Sequence, residues 1–488
     1  MELDSKIIID LYNLLWSPLP FLSGIPIIGW LSPLCILLLG TGLWFTLELN
    51  FIQVRGFKKG ANAFFLGLKT KSSRAGAHGM SSFQSFATAV ASQVGTGNIV
   101  GVSTAIATGG PGSIFWMWLA AFFGMATTFV EASIAQRYKV ISSDGHVTGG
   151  PVYYIRKAFD GLSGKILAVI FSILFIISYV CTGSAVQSNG ISTAWNTVFN
   201  PNGTMMSINL LGTNVSIVQV IAGIIIAILA FLIFAGGISS IASFTEKIVP
   251  FMAILFIGGS LFVLITHITW IPSIVARIFI GAFNPTAVFG GFTGIMIKDA
   301  VSKGIARGLF SHEAGIGSTP HAHAVARVIH PTHQGYVAMM GVFVDTFIIL
   351  NLTAFVVIGS GLYDPEVAGE VLTGSALAQA GFREGFGGLG NIFIATCLTF
   401  FAFSTIISSY FFGIANVKYL FGPRAIGIYT LIVCFCIFIG ALQEVDLIWL
   451  LEDTFIGLMA IPNIISLLAL TRMASYLADE DDPSIMLY

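Results

Sequence analysis

Long apolar stretches dominate the chain, with polar residues in short clusters between them. Eleven stretches reach spanning length, near 26–48, 84–107, 112–135, 163–187, 216–236, 247–268, 283–308, 337–360, 389–415, 424–442 and 447–471. A hydrocarbon core about 30 Å thick needs about 20 apolar residues in helical form. The pattern therefore predicts an all-α polytopic membrane protein with about 11 transmembrane helices. Two stretches are irregular. Gly95-Thr96-Gly97-Asn98 interrupts 84–107, and Gly290, Gly291 and Gly294 precede Lys298 and Asp299 in 283–308. Backbone groups left unpaired in hydrocarbon are costly unless they face a cavity, a ligand or an ion, so a helix broken at membrane depth marks a binding site.

Setting the first span aside as an extra N-terminal helix leaves ten, in two groups of five. The first member of each group carries an interruption, at 95–98 and at 290–294. Glycines also serve close packing in membrane helices, but interruptions at matched positions point to a 5+5 inverted repeat with a midplane site. The chain reads as one transporter domain. Residues 1–79 form the extra helix and a basic cytoplasmic loop, 80–268 and 269–475 the two repeats, and 476–488 an acidic cytoplasmic tail.

Composition agrees, with 56% hydrophobic and 9% charged residues, against about 25% charged in soluble domains. A net charge of −1 provides no field to recruit nucleic acid. The stretch 51–79 holds Arg55, Lys58, Lys59, Lys69, Lys71 and Arg74 without an acid, which places it in the cytoplasm. Alternation then puts every basic residue except Lys6, Arg277 and Arg383 on that side, including Arg137, Lys298, Lys303 and Arg307. Asp364, Glu366, Glu370, Glu384, Glu444 and Asp446 fall outside. The N-terminus is expected outside and the C-terminus in the cytoplasm of a cell (inner) membrane. No cleavable leader is apparent, so the first helix is expected to remain as an anchor. Cys35, Cys181, Cys397, Cys434 and Cys436 lack disulfide or metal spacing and read as small apolar residues.

The break at 95–98 offers amides suited to a carboxylate and carbonyls suited to a hard cation. Asn98 can serve either. The span 389–415 adds Thr396, Thr399, Ser404, Thr405, Ser408 and Ser409, with Thr405 and Ser409 on one face. Such hydroxyls also bond back to the preceding turn without further role, and it is their clustering that suggests a site. Asp345 lies inside its span with no basic residue within one turn, as expected of a coupling or structural residue. Glu131 reads as an interhelix pairing residue near its span's end. His312, His321, His323, His330 and His333 cluster without zinc-ligand spacing and read as a solvated cytoplasmic loop.

Gly95-Thr96-Gly97-Asn98-Ile99, Gly109-Gly110-Pro111-Gly112-Ser113-Ile114-Phe115-Trp116-Met117-Trp118, Gly149-Gly150-Pro151-Val152-Tyr153-Tyr154, Gly308 through Ser318, and Val344-Asp345-Thr346 together resemble the alanine or glycine:cation symporter family, the sodium:alanine symporters. The likeness covers essentially the whole chain. It implies a leucine-transporter-like inverted-repeat fold with an extra N-terminal helix, and import of a small neutral amino acid on a sodium gradient. It further implies that Gly95, Thr96, Gly97 and Asn98 hold the substrate carboxylate. Phe289, Gly290, Gly291, Phe292 and Thr293 would meet its amino group and side chain, and Thr405 and Ser409 would border that side chain. Sodium would lie on the carbonyls of Ala91 and Val94 and the hydroxyls of Ser404 and Thr405.

The chain departs from the family where Ser409 replaces a usual Trp, His312 a usual Asn, Ile414 a usual Glu, and Ser113 a usual Gly or Ala. Serine at 409 removes a wall of the pocket, which favours a bulkier substrate such as glutamine. Amino acid, sodium and the bilayer are the expected partners, and no cofactor is expected beyond the co-transported ion. No nucleophile–base motif, His-Glu-x-x-His or P-loop suggests an enzyme or a primary pump. A proton-coupled amino-acid symporter and a non-transporting amino-acid sensor are the alternatives.

Overall fold

The computed structural model describes all residues except 1, 23, 24, 26, 70–78, 142–146, 202, 211–212, 284–296, 444 and 481–488. Among them, eight helices are long and apolar enough to cross a membrane. These are Ser113–Arg137, Gly161–Phe199, Ile217–Ala235, Gly237–Thr266, Pro331–Ser360, Leu389–Phe421, Pro423–Gly440 and Asp446–Ala469. Pro33–Glu48 and Trp270–Phe283 are shorter apolar helices. Side-chain caps start several of them. Ser32 accepts from Cys35 N, Ser81 and Gln84 form a reciprocal capping box, and Ser216 and Gln219 form another.

Burial divides the helices into an inner and an outer set. Ser113–Arg137 and Leu389–Phe421 are enclosed by others, whereas Ile217–Ala235 buries only Gly223, Ile226, Ala230 and Phe234 and turns most of its isoleucines and leucines outward. In a lipid solvent an outward apolar face is the stable arrangement. The tightest contacts use small residues. A Cβ on Gly304 would lie 2.4 Å from Ser113 O, and one on Gly440 would lie 2.3 Å from Ala185 Cα.

The expected break is present. An α-helix runs from Ser82 to Gln93, a 3₁₀ turn covers Thr96–Asn98, and a second helix runs from Val100 to Gly109. The second expected break, at 290–294, lies outside the described residues, together with Phe289, Gly290, Gly291, Phe292 and Thr293. The described chain has a different second interruption. The helix Ile297–His312 ends, residues 313–319 are irregular, and a short helix resumes over Pro320–Ala324. Glu313, Gly315 and Gly317 there have φ of +58°, +84° and +89°.

This shifts the crossing toward the C-terminus and corrects the sidedness of three charges. The ideal Cβ of Gly109 approaches Lys303 Cβ at 3.1 Å, and Arg307 pairs with Asp453 at 3.1 Å. Lys298, Lys303 and Arg307 therefore sit on the Ser113 end of the helix Ser113–Arg137, opposite Arg137, with which the charge pattern had grouped them. The histidine loop is also corrected. His312, His321 and His323 are 0–2% exposed, because they belong to the second interruption; His330 and His333 lie nearer the surface. Glu131, expected as an interfacial or interhelix pairing residue, is fully buried beside that interruption and pairs with Asn463 of another helix.

Candidate functional site

The two interruptions face each other. Asn98 closes the first by accepting from Gly95 N at 3.1 Å, and its Nδ2 donates to Asp345 Oδ1 at 2.6 Å. Asp345 Oδ2 accepts from Ser311 Oγ, the last turn before the second interruption, and from Thr346 Oγ1, both at 3.1 Å. All four side chains are buried. Among the described residues Asp345 thus has hydroxyl and amide partners and no cation. It sits in a π-helical segment, Val344–Leu350. A π-bulge re-aims side chains and is frequent at functional sites. A second π segment, Ile176–Thr182, turns Tyr179 and Thr182 toward the same region.

The hydroxyl helix comes in from another side. Thr405 Oγ1 donates to Ala91 O at 2.9 Å, and Ser404 Oγ lies 3.4 Å from the same carbonyl. Both hydroxyls can donate instead to Phe401 O, at 3.1 and 2.9 Å. Turned that way, their lone pairs and the Ala91 carbonyl form a cluster of oxygens suited to a hard cation. Ser92 O, 3.3 Å from Thr405 Oγ1, is the next carbonyl within reach. The expected fourth ligand, the Val94 carbonyl, is not among the atoms that these hydroxyls contact.

Between these groups lies a cavity of about 20 Å³, lined in part by Gly95, Gly97, Gln187, Glu313, Thr405, Ser409 and Glu452. Its size suits a water molecule and not an amino acid, so the chamber is closed in this conformation. Gly95 permits the closure, since an added Cβ would lie 2.6 Å from Thr405 Oγ1. Toward the Arg307 end a second cavity of about 360 Å³ is lined by Thr96, Thr104, Asn189, Arg307, Asp446 and Trp449. A layer of Phe310 on Trp449, at 5.0 Å between ring centres, and of Arg307 over the same indole separates the two. On the other side, His321 packs among Phe171, Phe175 and Phe412 and bonds Asn416 Nδ2 at 2.9 Å.

Gly95, Gly97, Asn98, Thr405, Ser409, Ala91, Ser404 and Asp345 are therefore brought together. Thr96 joins them through its N–H, which donates to Gln187 Oε1 at 3.0 Å. Sequence reasoning missed Gln187, Tyr179, Glu313 and Glu452. Glu313 accepts from Ser92 and Ser318 at 3.0 and 2.6 Å, and Glu452 from Thr182 at 2.8 Å. A buried polar side chain in an apolar run was the available signal. Among the described residues no three His, Cys, Asp or Glu side chains converge as a metal site.

A polytopic helical membrane protein whose broken helices meet at a small polar chamber, shut off on both sides by aromatic layers, has the build of a solute carrier. The sequence profile of the sodium:alanine symporter family matches residues 21–480. The chain is 38% identical to the amino-acid carrier protein AlsT of Bacillus subtilis, over 90% of this chain and 87% of that one. It is 37% identical to the sodium/alanine symporter AgcS of Methanococcus maripaludis, covering 91% and 92%. It is also 37% identical to the probable sodium/glutamine symporter GlnT of Bacillus subtilis, covering 91% and 86%. The chain belongs to the sodium:alanine symporter family.

Proposed function

We propose that this protein imports a small neutral amino acid together with sodium, by alternating access around the chamber between the two interruptions. The observation that carries the reading is the meeting of three oxygen-rich elements at one cavity. The amides of the first break, held here by Asn98 Oδ1 and Gln187 Oε1, suit the substrate carboxylate when those side chains release them, with Gly95, Thr96, Gly97 and Asn98 as its frame. Ala91 O with Ser404 and Thr405 suits sodium. Asp345, tied to Asn98 and to Ser311, links the two interruptions and is the residue through which ion binding reaches the substrate frame. Alanine or glycine is the expected substrate type. Ser409 on the cavity wall leaves room for a longer side chain, and a probable glutamine symporter among the relatives makes glutamine the substrate to test first.

The same reading takes the chain as one transporter domain with eleven crossings in a cell (inner) membrane. Residues 1–79 form an extra N-terminal helix and cytoplasmic loop, followed by five-helix repeats over 80–268 and 269–475 and a tail over 476–488. The N-terminus lies outside and the C-terminus in the cytoplasm. The two breaks would be the equivalent first members of the repeats, each written Gly-x-Gly followed by Asn98 or Ser318. A proton-coupled variant rests on Asp345, a buried carboxyl without a cation partner among the described residues.

The test is uptake of labelled alanine and glutamine into proteoliposomes under an inward sodium gradient, with potassium as control. Sodium-dependent accumulation is expected, and Thr405→Val should raise the sodium concentration for half-maximal uptake about tenfold, the scale of one lost oxygen contact to an ion. Binding without accumulation under any gradient would identify a sensor. Accumulation on a proton gradient alone, abolished in Asp345→Asn, would move the coupling to that carboxyl.

A further inference from the structure

A cleft of about 850 Å³ opens on the outer surface, away from the transport chamber. Its walls are the helix Ile217–Ala235, with Ile221, Ile225 and Leu229, the end of Gly161–Phe199, and Phe400 and Phe403 of Leu389–Phe421. The cleft is almost wholly apolar. Its Thr399 hydroxyl is already engaged, accepting from Trp195 Nε1 at 2.9 Å and donating to Ala395 O at 2.8 Å. From Ile217 to Ile233 it extends about 24 Å at 1.5 Å per helical residue, most of one hydrocarbon thickness.

At one end it meets a second cleft of about 570 Å³ that shares Ile233, Phe244 and Ile248 and adds Ser240, Ser243 and Lys247. The spacing of three and four residues puts these polar groups on one helix face. Lys247 is exposed. The neighbouring Glu246 is engaged elsewhere, accepting from Gln84 Nε2 at 2.9 Å. A long hydrocarbon slot ending in an ammonium and two hydroxyls has the polarity profile of one molecule class. We propose that the joined clefts bind a single phospholipid with a net negative head group. Its acyl chain fills the slot and its head group lies on Lys247, Ser240 and Ser243.

The site is independent of the transport reading, although it lies behind it. Phe403 in the cleft wall is followed directly by Ser404 and Thr405, whose hydroxyls reach Ala91 O on the chamber side. Native mass spectrometry of the intact protein in detergent, with phosphatidylglycerol or phosphatidylethanolamine of identical chains, tests the proposal. One phosphatidylglycerol should be retained, about fivefold better than the zwitterionic lipid. Lys247→Ala should erase that preference, and Ala222→Trp, which fills the slot, should reduce retention of both lipids. Thermal unfolding checks that each variant is folded. Equal retention of the two lipids by the unaltered protein would overturn the proposal, as would unchanged retention in both variants. Glycerol phosphate competing as well as the intact lipid would also overturn it, since the slot would then contribute nothing.

Discussion

The two interruptions share a spelling, Gly95-Thr96-Gly97 and Gly315-Ile316-Gly317, yet need glycine for different reasons. Gly95 has φ of −126°, outside the left-handed region, and glycine serves there because Thr405 and Gln187 come too close for a Cβ. Gly315 and Gly317 have φ of +84° and +89°, the left-handed region that favours glycine. Their bracing differs in the same sense. Gln187, which lines the cavity, and the buried Asn98–Asp345 pair hold the first break. Scaffold groups hold the second, with Glu131 accepting from Gly315 N at 3.0 Å and Asn463 donating to Gly315 O at 2.9 Å. The first break is thus secured by contacts a substrate or an ion can exchange. The second is secured at Gly315 by scaffold contacts, while its Glu313 end reaches the chamber.

Damage to the second break should therefore appear as lost stability. Asn463 also donates to Glu131 Oε1 at 2.7 Å and accepts from Tyr154 Oη. Asn463→Leu leaves three buried partners unsatisfied, and a loss of about 3–5 kcal/mol is expected. Thermal unfolding in detergent should show this as a large drop in midpoint before any transport is assayed. Gly317→Ala comes next, at about 1–3 kcal/mol for a strained backbone, increased by a Cβ placed 2.9 Å from Asn463 Cγ. A Gly317→Ala protein that melts like the unaltered one would dissolve the distinction between the two breaks.

The first break was legible in the sequence because a Gly-x-Gly-Asn run interrupts an otherwise apolar span, where unpaired backbone is costly unless it faces a cavity or a ligand. The second was hidden by its own polarity. Ser311, His312, Glu313, Ser318, Thr319, His321 and His323 lower the local hydropathy to that of a loop, and the apolar average cannot tell water-facing polarity from polarity buried among neighbouring helices. The same blindness placed Lys298, Lys303 and Arg307 on the wrong side, since the charge rule was applied to a span drawn about fifteen residues too early. Ser404, Thr405 and Ser409 were readable from helical spacing. Gln187 and Glu452 sit near span ends, where polar residues are ordinary, and only the packing around the cavity singles them out. That Ser92 and not Val94 supplies the carbonyl within reach beside Ala91 is a matter of helix rotation, which spacing does not determine.

The smaller effects fall on transport. Gly95→Ala overpacks Thr405 and Gln187, and a loss of about 1 kcal/mol, at the low end for such crowding, is expected in its unfolding. The new methyl group displaces Thr405 Oγ1, and the sodium concentration for half-maximal uptake should rise about tenfold. Gly97→Ala is the control that sharpens the comparison. Its Cβ would lie 3.4 Å from Phe310 Cδ1 and from Ser311 Cα, contacts that a slight shift accommodates, so both unfolding and sodium dependence should change less than about twofold. That expectation holds only if Phe310 comes no nearer to the first break at any stage of the cycle. Phe310 is also the ring that lies against Trp449 and closes the chamber from the 360 Å³ cavity. A Gly97→Ala protein that binds sodium normally but no longer accumulates substrate would mean that the aromatic layer presses closer to the first break in another state. Gly97 would then be kept free of a side chain for the moving layer and not for the ion.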